Sequence, residues 1–279
     1  MKLITWNLQW GRGIDGRVDL ERIVRTARGL ADFDVLCVQE IADNFPGLGG
    51  NDHRDQFAEL SRLLPGFNVV TAPAVDVESD GARRRRFGVA IFTRYPVISS
   101  FAHALPWPAD PGKKSMPRTA AEATLRTPIG PLRVTTTHLE YYSEVQRNAQ
   151  AARLRELNDE ASDRAQRPGA RTCEGGPFDS TPQAKSAILT GDFNCETDSH
   201  AYAEIQRGAF PYRDAWPIGN KGVPHVPTFC VHDRSYSKTP YCCDFIFVSG
   251  DIASRVRAVS VDSSTQASDH QPVLIEIDS

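Results

Sequence analysis

No stretch of this sequence reaches the ~18–20 consecutive apolar residues of a membrane-crossing helix, so insertion into a bilayer is not expected. Neither sign of charge dominates. Among 279 residues, 32 Lys+Arg stand against 35 Asp+Glu, a formal charge of −3, so nothing global draws the chain to nucleic acid or to an anionic membrane. Recognition of a polyanion would have to come from a local site. The six cysteines (Cys37, Cys173, Cys195, Cys230, Cys242, Cys243) form no C-x-x-C pair and no zinc-finger spacing with histidine. Cys37, Cys242 and Cys243 sit in apolar runs, as free thiols do in a reducing compartment. Met1-Lys2-Leu3-Ile4 leads straight into Thr5-Trp6-Asn7 without the apolar stretch of a secretory signal. A cytoplasmic protein is the expectation. Internal repeats and low-complexity segments are also missing.

What is present is ordinary globular material, 40% hydrophobic and 24% charged. This length allows one or two domains and a large core without disulfides. Short β-type runs recur at Leu3–Leu8, Asp34–Gln39, Phe87–Phe92, Ala121–Leu125, Leu132–Thr137, Ala187–Thr190, Cys242–Val248, Val256–Val261 and Val273–Ile277. Helical spacing marks Asp19–Leu30, Gln56–Leu64, Ser143–Asp163 and His200–Gln206. In the first, Leu20, Ile23, Val24, Ala27 and Leu30 share a face, and Gly29 is a stop signal. Leu105–Pro117 and Arg167–Pro182 read as irregular surface loops. The class is α/β or α+β with a mixed sheet.

The polar residues at the ends of apolar strands carry the chemistry. Asn7, Glu40, His138, Asp192 and Asn194 each stand where such a run gives way to a loop, the usual place for ligand groups. Taken singly, each is equally a turn residue or a helix-start carboxylate. Asp244 differs, because it lies inside Tyr241-Cys242-Cys243-Asp244-Phe245-Ile246-Phe247-Val248. A buried carboxylate there needs a partner. Strand alternation puts Cys242, Asp244 and Ile246 on one face and Cys243, Phe245 and Phe247 on the other. Asp269-His270 offers the partner: in an extended segment they point opposite ways, so Asp244 can orient His270 while Asp269 faces a cation or its water. An Asp-held His is a general-base arrangement. Glu40, Asn7, Asp192, Asn194 and Asp269 supply hard oxygen donors, which favour Mg²⁺ or Mn²⁺ over zinc. Such a metal beside an oriented His is equipment for hydrolysing a phosphate ester.

In order along the chain, Thr5-Trp6-Asn7, Gln39-Glu40, Thr137-His138-Leu139-Glu140, Gly191-Asp192-Phe193-Asn194, Asp244-Phe245-Ile246 and Ser268-Asp269-His270-Gln271-Pro272 resemble the motif set of the endonuclease/exonuclease/phosphatase (DNase I-like) superfamily. The resemblance implies one domain over residues 1–279, because site residues come from both ends. It implies a four-layer α/β sandwich, with two mixed sheets face to face and helices outside. It implies Mg²⁺ or Mn²⁺ at Glu40, Asn7 and Asp269. Asp192 would position or deprotonate the attacking water, Asn194 would bind phosphate, and Asp244 with His270 would form a buried dyad. His138 matches a second catalytic His, but the acid that holds it in DNase-like enzymes has no match in Arg83-Arg84-Arg85-Arg86-Phe87. His138 is left as either a general acid or a hydrogen-bond partner for phosphate.

Substrate clues are local. Arg83–Arg86 is either a solvated run or a phosphate-steering one. Arg118 is either a phosphate clamp or a surface ion-pair residue. Tyr141 and Tyr142 either stack a base or aromatic leaving group or pack inward, and Trp107, Trp216 and Phe229 either line a mouth or pin loops. The expected activity is metal-dependent hydrolysis of a P–O bond, favouring a phosphodiester with nucleic acid among the candidates. The alternatives are a phosphomonoesterase acting on a small metabolite and a binding protein without chemistry.

Overall fold

The computed structural model describes every residue except 52, 80, 82 and 279. Twelve strands among these residues form two six-stranded mixed sheets. The first, in order, is β11 (Val256–Val261), β12 (Val273–Ile277), β1 (Lys2–Asn7), β2 (Val35–Asp43), β4 (Arg84–Thr93) and β3 (Asn68–Glu78). The second is β5 (Val97–Ala104), β6 (Thr119–Thr127), β7 (Gly130–His138), β8 (Ser186–Asp192), β10 (Asp244–Ser249) and β9 (Tyr212–Asp214). Helices α1 (Leu20–Leu30) and α2 (Gln56–Leu63) cover the first sheet, and α3 (Glu144–Gln166) and α4 (His200–Ile205) the second. A short α5 (Ala215–Gly219) packs beside β11.

Alternation along the strands builds the layers. Leu3, Val35, Cys37, Val89 and Ile91 face inward and meet Ala121, Leu132, Val134, Ile188, Ile246 and Val248 across the sandwich. The opposite parity (Ile4, Trp6, Leu36, Val38, Phe92) packs under Ile23, Val24, Phe57 and Leu60. On the second sheet Leu189, Phe245 and Phe247 pack under Ala151, Leu154 and Ala201. Asp19, Asp55, Ser143 and Ser199 each cap a helix by accepting a backbone N–H. Gly29 does not end α1; it lies exposed inside it, and Ala31 is the cap.

Three strands have no counterpart among the expected runs: β3, β5 and β9. All three are sheet edges, where one flank is solvated and burial no longer enforces period-2 patterning. β3 also contains Pro73, which edge strands tolerate. Trp216, placed by the sequence in a loop, is buried in α5. The arginine run lies on β4 and is largely consumed by ion pairs: Arg83 and Arg86 with Asp43, Arg86 with Asp55, and Arg84 with Asp76. That pairing favours the solvated reading over phosphate steering.

β7 and β8 run parallel, with Thr137 opposite Gly191 and His138 opposite Asp192. The strands approach so closely that a Cβ on Gly191, whose φ is +145°, would lie 2.0 Å from the Thr137 carbonyl oxygen. Gly191→Ala should therefore cost several kcal/mol, on the order of 3, seen as a lower urea midpoint. A midpoint equal to wild type would mean that the two strands can separate at no cost.

Candidate active site

At one end of the sandwich the inward-facing positions change from apolar to polar. Asn7 continues the parity of Leu3 and Thr5, Asp192 that of Ile188 and Thr190, His138 that of Val134 and Thr136, and Asp244 that of Ile246. Side chains from both sheets therefore converge on one crevice. Beneath them Gln39 Nε2 donates to Thr5 Oγ1 at 3.2 Å and to Thr136 Oγ1 at 2.9 Å, joining the sheets with a polar floor.

Glu40 breaks the alternation. Between the pairs Val38–Ala90 and Ile41–Gly88 the register slips, so two residues of β2 oppose one of β4. Glu40 has φ +56° within this bulge. Regular pleating would send its carboxylate towards α1 and α2; the bulge turns it into the crevice. There Glu40 Oε1 accepts from Asn7 Nδ2 at 3.1 Å, and the same amide donates to Asp192 Oδ2 at 3.0 Å. The Asn7 oxygen accepts from the Gln9 backbone N–H, with a second lone pair remaining.

The dyad expected from strand parity is formed. His270 Nδ1 lies 2.8 Å from Asp244 Oδ2, and Nε2 lies 3.6 Å from Asp192 Oδ2. Asp192 and Asp244 face each other across β8 and β10, and the imidazole bridges them. Burial alone would depress the His270 pKa, but Asp244 and Asp192 outweigh it and hold the ring protonated well above the ordinary histidine range. Phe229 stacks on His270, with centroids 4.4 Å apart. Thr228 Oγ1 donates to Asp244 Oδ2 at 2.6 Å. Asp269 faces the other way, as expected; its Oδ2 accepts from Gln9 Nε2 at 2.7 Å.

His138 lies in the same crevice, 3.4 Å from Asp192 Oδ2 and 3.9 Å from Glu40 Oε1. These two carboxylates are its acidic neighbours, rather than any residue of the arginine run. Burial, then Arg118 and His270, push its pKa well below the ordinary value, so the ring is neutral at pH 7. Arg118 is not a surface residue. It is 6% exposed, its Nε donates to the buried Glu140 Oε2 at 3.1 Å, and its Nη1 has no hydrogen-bond partner among the described residues. Asn194, at φ +49°, donates its backbone N–H to Asp192 Oδ1 and its amide to the Leu139 carbonyl. Tyr141 is half-buried, edge-on to the exposed Tyr142. Gln9 and Thr228 join the site without being marked in the sequence, whereas Ser268 belongs to the Ser268–Pro272 motif. The roles of all three are hydrogen bonds to other site residues.

Burial raises Glu40, and it lifts Asp192 and Asp269 to about 6. A divalent cation among these carboxylates would reverse that shift. Glu40 Oε2 accepts no hydrogen bond among the described residues, so the donor set fits a hard cation at Glu40, Asn7 and Asp269. In chelator, Asp269 binds its proton in the folded state up to about pH 6 but only to 3.8 unfolded, so its contribution to stability falls as pH rises through that window. Asp269→Asn removes this loss. The variant's melting temperature should gain on wild type between pH 4 and 6.5, by the equivalent of roughly 2 kcal/mol. Parallel melting curves would show that Asp269 is not destabilised by its surroundings.

The Endonuclease/Exonuclease/phosphatase family model matches residues 4–270. No curated protein matches the chain. Among solved structures, a mannosyl-6-phosphatase from Bacteroides thetaiotaomicron VPI-5482 superposes with a TM-score of 0.70 at 20% identity, covering 100% of both chains. The human Nocturnin catalytic domain with bound sulfate gives 0.63 at 16% identity, covering 100% of this chain and 94% of that one. Truncated Caenorhabditis elegans TDP2 gives 0.64 at 17%, covering 100% and 97%. These likenesses establish the DNase I-like α/β sandwich. With the family model spanning nearly its whole length, the chain belongs to the Endonuclease/Exonuclease/phosphatase family.

Proposed function

We propose that this chain, acting as one unit over residues 1–279, is a Mg²⁺- or Mn²⁺-dependent phosphodiesterase. In this reading it cleaves a P–O bond by in-line attack of water. The observation that carries the proposal is the continuous link Asp244–His270–Asp192–Asn7–Glu40, which sets a held imidazole beside a hard-cation donor set in one crevice.

Glu40 and Asp269, with Asn7 beside them, would hold the cation, which would supply positive charge to the phosphate. Asp192, with its raised pKa and its place opposite Asp244, takes the proton of the attacking water. His270 is held as an imidazolium and stabilises the negative charge growing on phosphorus. The general-base role that an Asp-held His first suggests thus passes to Asp192. Neutral His138 donates an N–H to phosphate and does not supply a proton. Asn194 binds a phosphate oxygen with its remaining amide hydrogen. Arg118 Nη1, unpartnered beside His138, is a second phosphate donor, and Tyr141 lines the leaving-group side.

Hydrolysis of bis-p-nitrophenyl phosphate and p-nitrophenyl phosphate, each with Mg²⁺, Mn²⁺ or EDTA, tests this reading. Diester turnover should require metal and fall about 10²–10⁴-fold in Glu40→Gln and in His270→Ala, with circular dichroism unchanged. Turnover preferring the monoester would favour the phosphomonoesterase reading, to which the fold neighbour named a mannosyl-6-phosphatase lends support. Full activity in EDTA or in either variant would sink the assignment. Nucleic acid is the first natural substrate to try, and its cleavage should weaken steeply with salt.

A further inference from the structure

The donors used so far are hard oxygens, but a second set of different chemistry lies against them. Cys243 precedes β10, so the expected alternation does not hold for it: Cys242 packs with Phe245 and Phe247, while Cys243 Sγ donates to Asp244 Oδ2 at 3.6 Å and takes no part in the proposed hydrolysis. One ligand atom each from Cys243, Asp192 and His270 falls within 4.8 Å of the others, and all three residues are buried. Among the described residues this is the one group of three or more His, Cys, Asp and Glu whose ligand atoms lie that close together. Its sulfur, nitrogen and carboxylate oxygen are the ligand types of zinc, not of magnesium.

We propose that Asp192, Cys243 and His270 form an inhibitory site for Zn²⁺ or a similarly thiophilic divalent ion. His270 Nε2 and Asp192 Oδ2 are already 3.6 Å apart, close to the edge of a tetrahedron with metal–ligand bonds of about 2.0–2.3 Å. Cys243 Sγ lies within 4.8 Å of a His270 ring nitrogen and an Asp192 carboxylate oxygen, so a shift on the order of 1 Å would complete three ligands and leave the fourth position for water. Asp244 holds Nδ1 at 2.8 Å, the carboxylate–histidine–metal arrangement that orients a zinc-bound imidazole. Binding forms a metal–sulfur bond and releases the thiol proton, with any proton on Nε2, to solvent. It also occupies both Asp192 and His270. Zinc therefore blocks hydrolysis without displacing the cation at Glu40 and Asp269. The site itself rests on geometry and donor type; its inhibitory effect rests on the reaction proposed above.

The test is zinc K-edge X-ray absorption on full-length protein loaded with one equivalent of Zn²⁺. It is best run in a Cys173→Ser background, because Cys173 is exposed while Cys243 is buried. One sulfur neighbour at about 2.3 Å among nitrogen and oxygen ligands is expected. The sulfur should vanish in Cys243→Ser and persist in Cys242→Ser. Calorimetry should show zinc affinity lowered tenfold or more in Cys243→Ser, and also in Asp192→Asn, which serves if the serine variant does not fold. A first shell of only nitrogen and oxygen, or a sulfur that survives Cys243→Ser, overturns the site. These readouts need no turnover, so they stand apart from failure of the proposed reaction. Where turnover is present, micromolar Zn²⁺ added over millimolar Mg²⁺ should suppress it in wild type and not in Cys243→Ser.

Discussion

Two carboxylates face each other across adjacent strands with no lysine or arginine between them, and the site is organised around relieving that repulsion. Asp192 and Asp244 are register partners on β8 and β10, both inward and almost fully buried. Directly opposed like charges are costly on a sheet and costlier in its interior. The histidine that separates them comes from the far end of the chain, in the segment that leads into β12 of the other sheet. That requirement fixes where residues 268–271 must run. Trp6 Nε1 donates to the His270 carbonyl, Ser268 Oγ donates to the Asn7 carbonyl, and the Gln271 backbone N–H donates to the Thr228 carbonyl. The placement of β12 next to β1 serves the same end.

From this follows the division of roles. His270 is held charged and burial raises Asp192, while Asp244, itself bonded by Thr228, fixes the ring through Nδ1. Phe229 closes one face of the ring. Asn7 joins the two sides of the crevice, its two amide hydrogens reaching Glu40 and Asp192, and His138 lies between the same two carboxylates. Glu140 plays a comparable part on the opposite wall: its carboxylate accepts from Arg118 Nε, the Met116 N–H and the Tyr142 N–H. It ties two loop segments, the one before β6 and the one before α3, to the end of β7.

Much of this was legible in the sequence where one residue's environment is set by its own strand. The parity of Asp244 within an apolar run pointed to His270, and the ordered motifs pointed to the sandwich. The edge strands β3, β5 and β9 escaped because a solvated flank removes the burial that writes alternation into a sequence. The orientation of Glu40 escaped for a different reason. Its residue type marks it as a ligand, but a bulge is a property of two strands in register, and the sequence of one does not disclose it. Gln9, Thr228 and the Arg118–Glu140 pair are products of folding together distant segments. The absence of an acid in the arginine run was correctly read, yet His138 still meets carboxylates, supplied by Glu40 and Asp192.

The bulge at Glu40 also bears on how such a centre can be copied. A designer who idealised β2 into a regular strand would remove a residue held at positive φ, improve local backbone energy and leave the apolar pattern up to Val38 intact. The product would score as a better sheet, and it would point the Glu40 carboxylate into the hydrocarbon layer beneath α1 and α2. Transplanting this chemistry to another scaffold therefore means transplanting an irregularity, two residues set against one, along with the side chains.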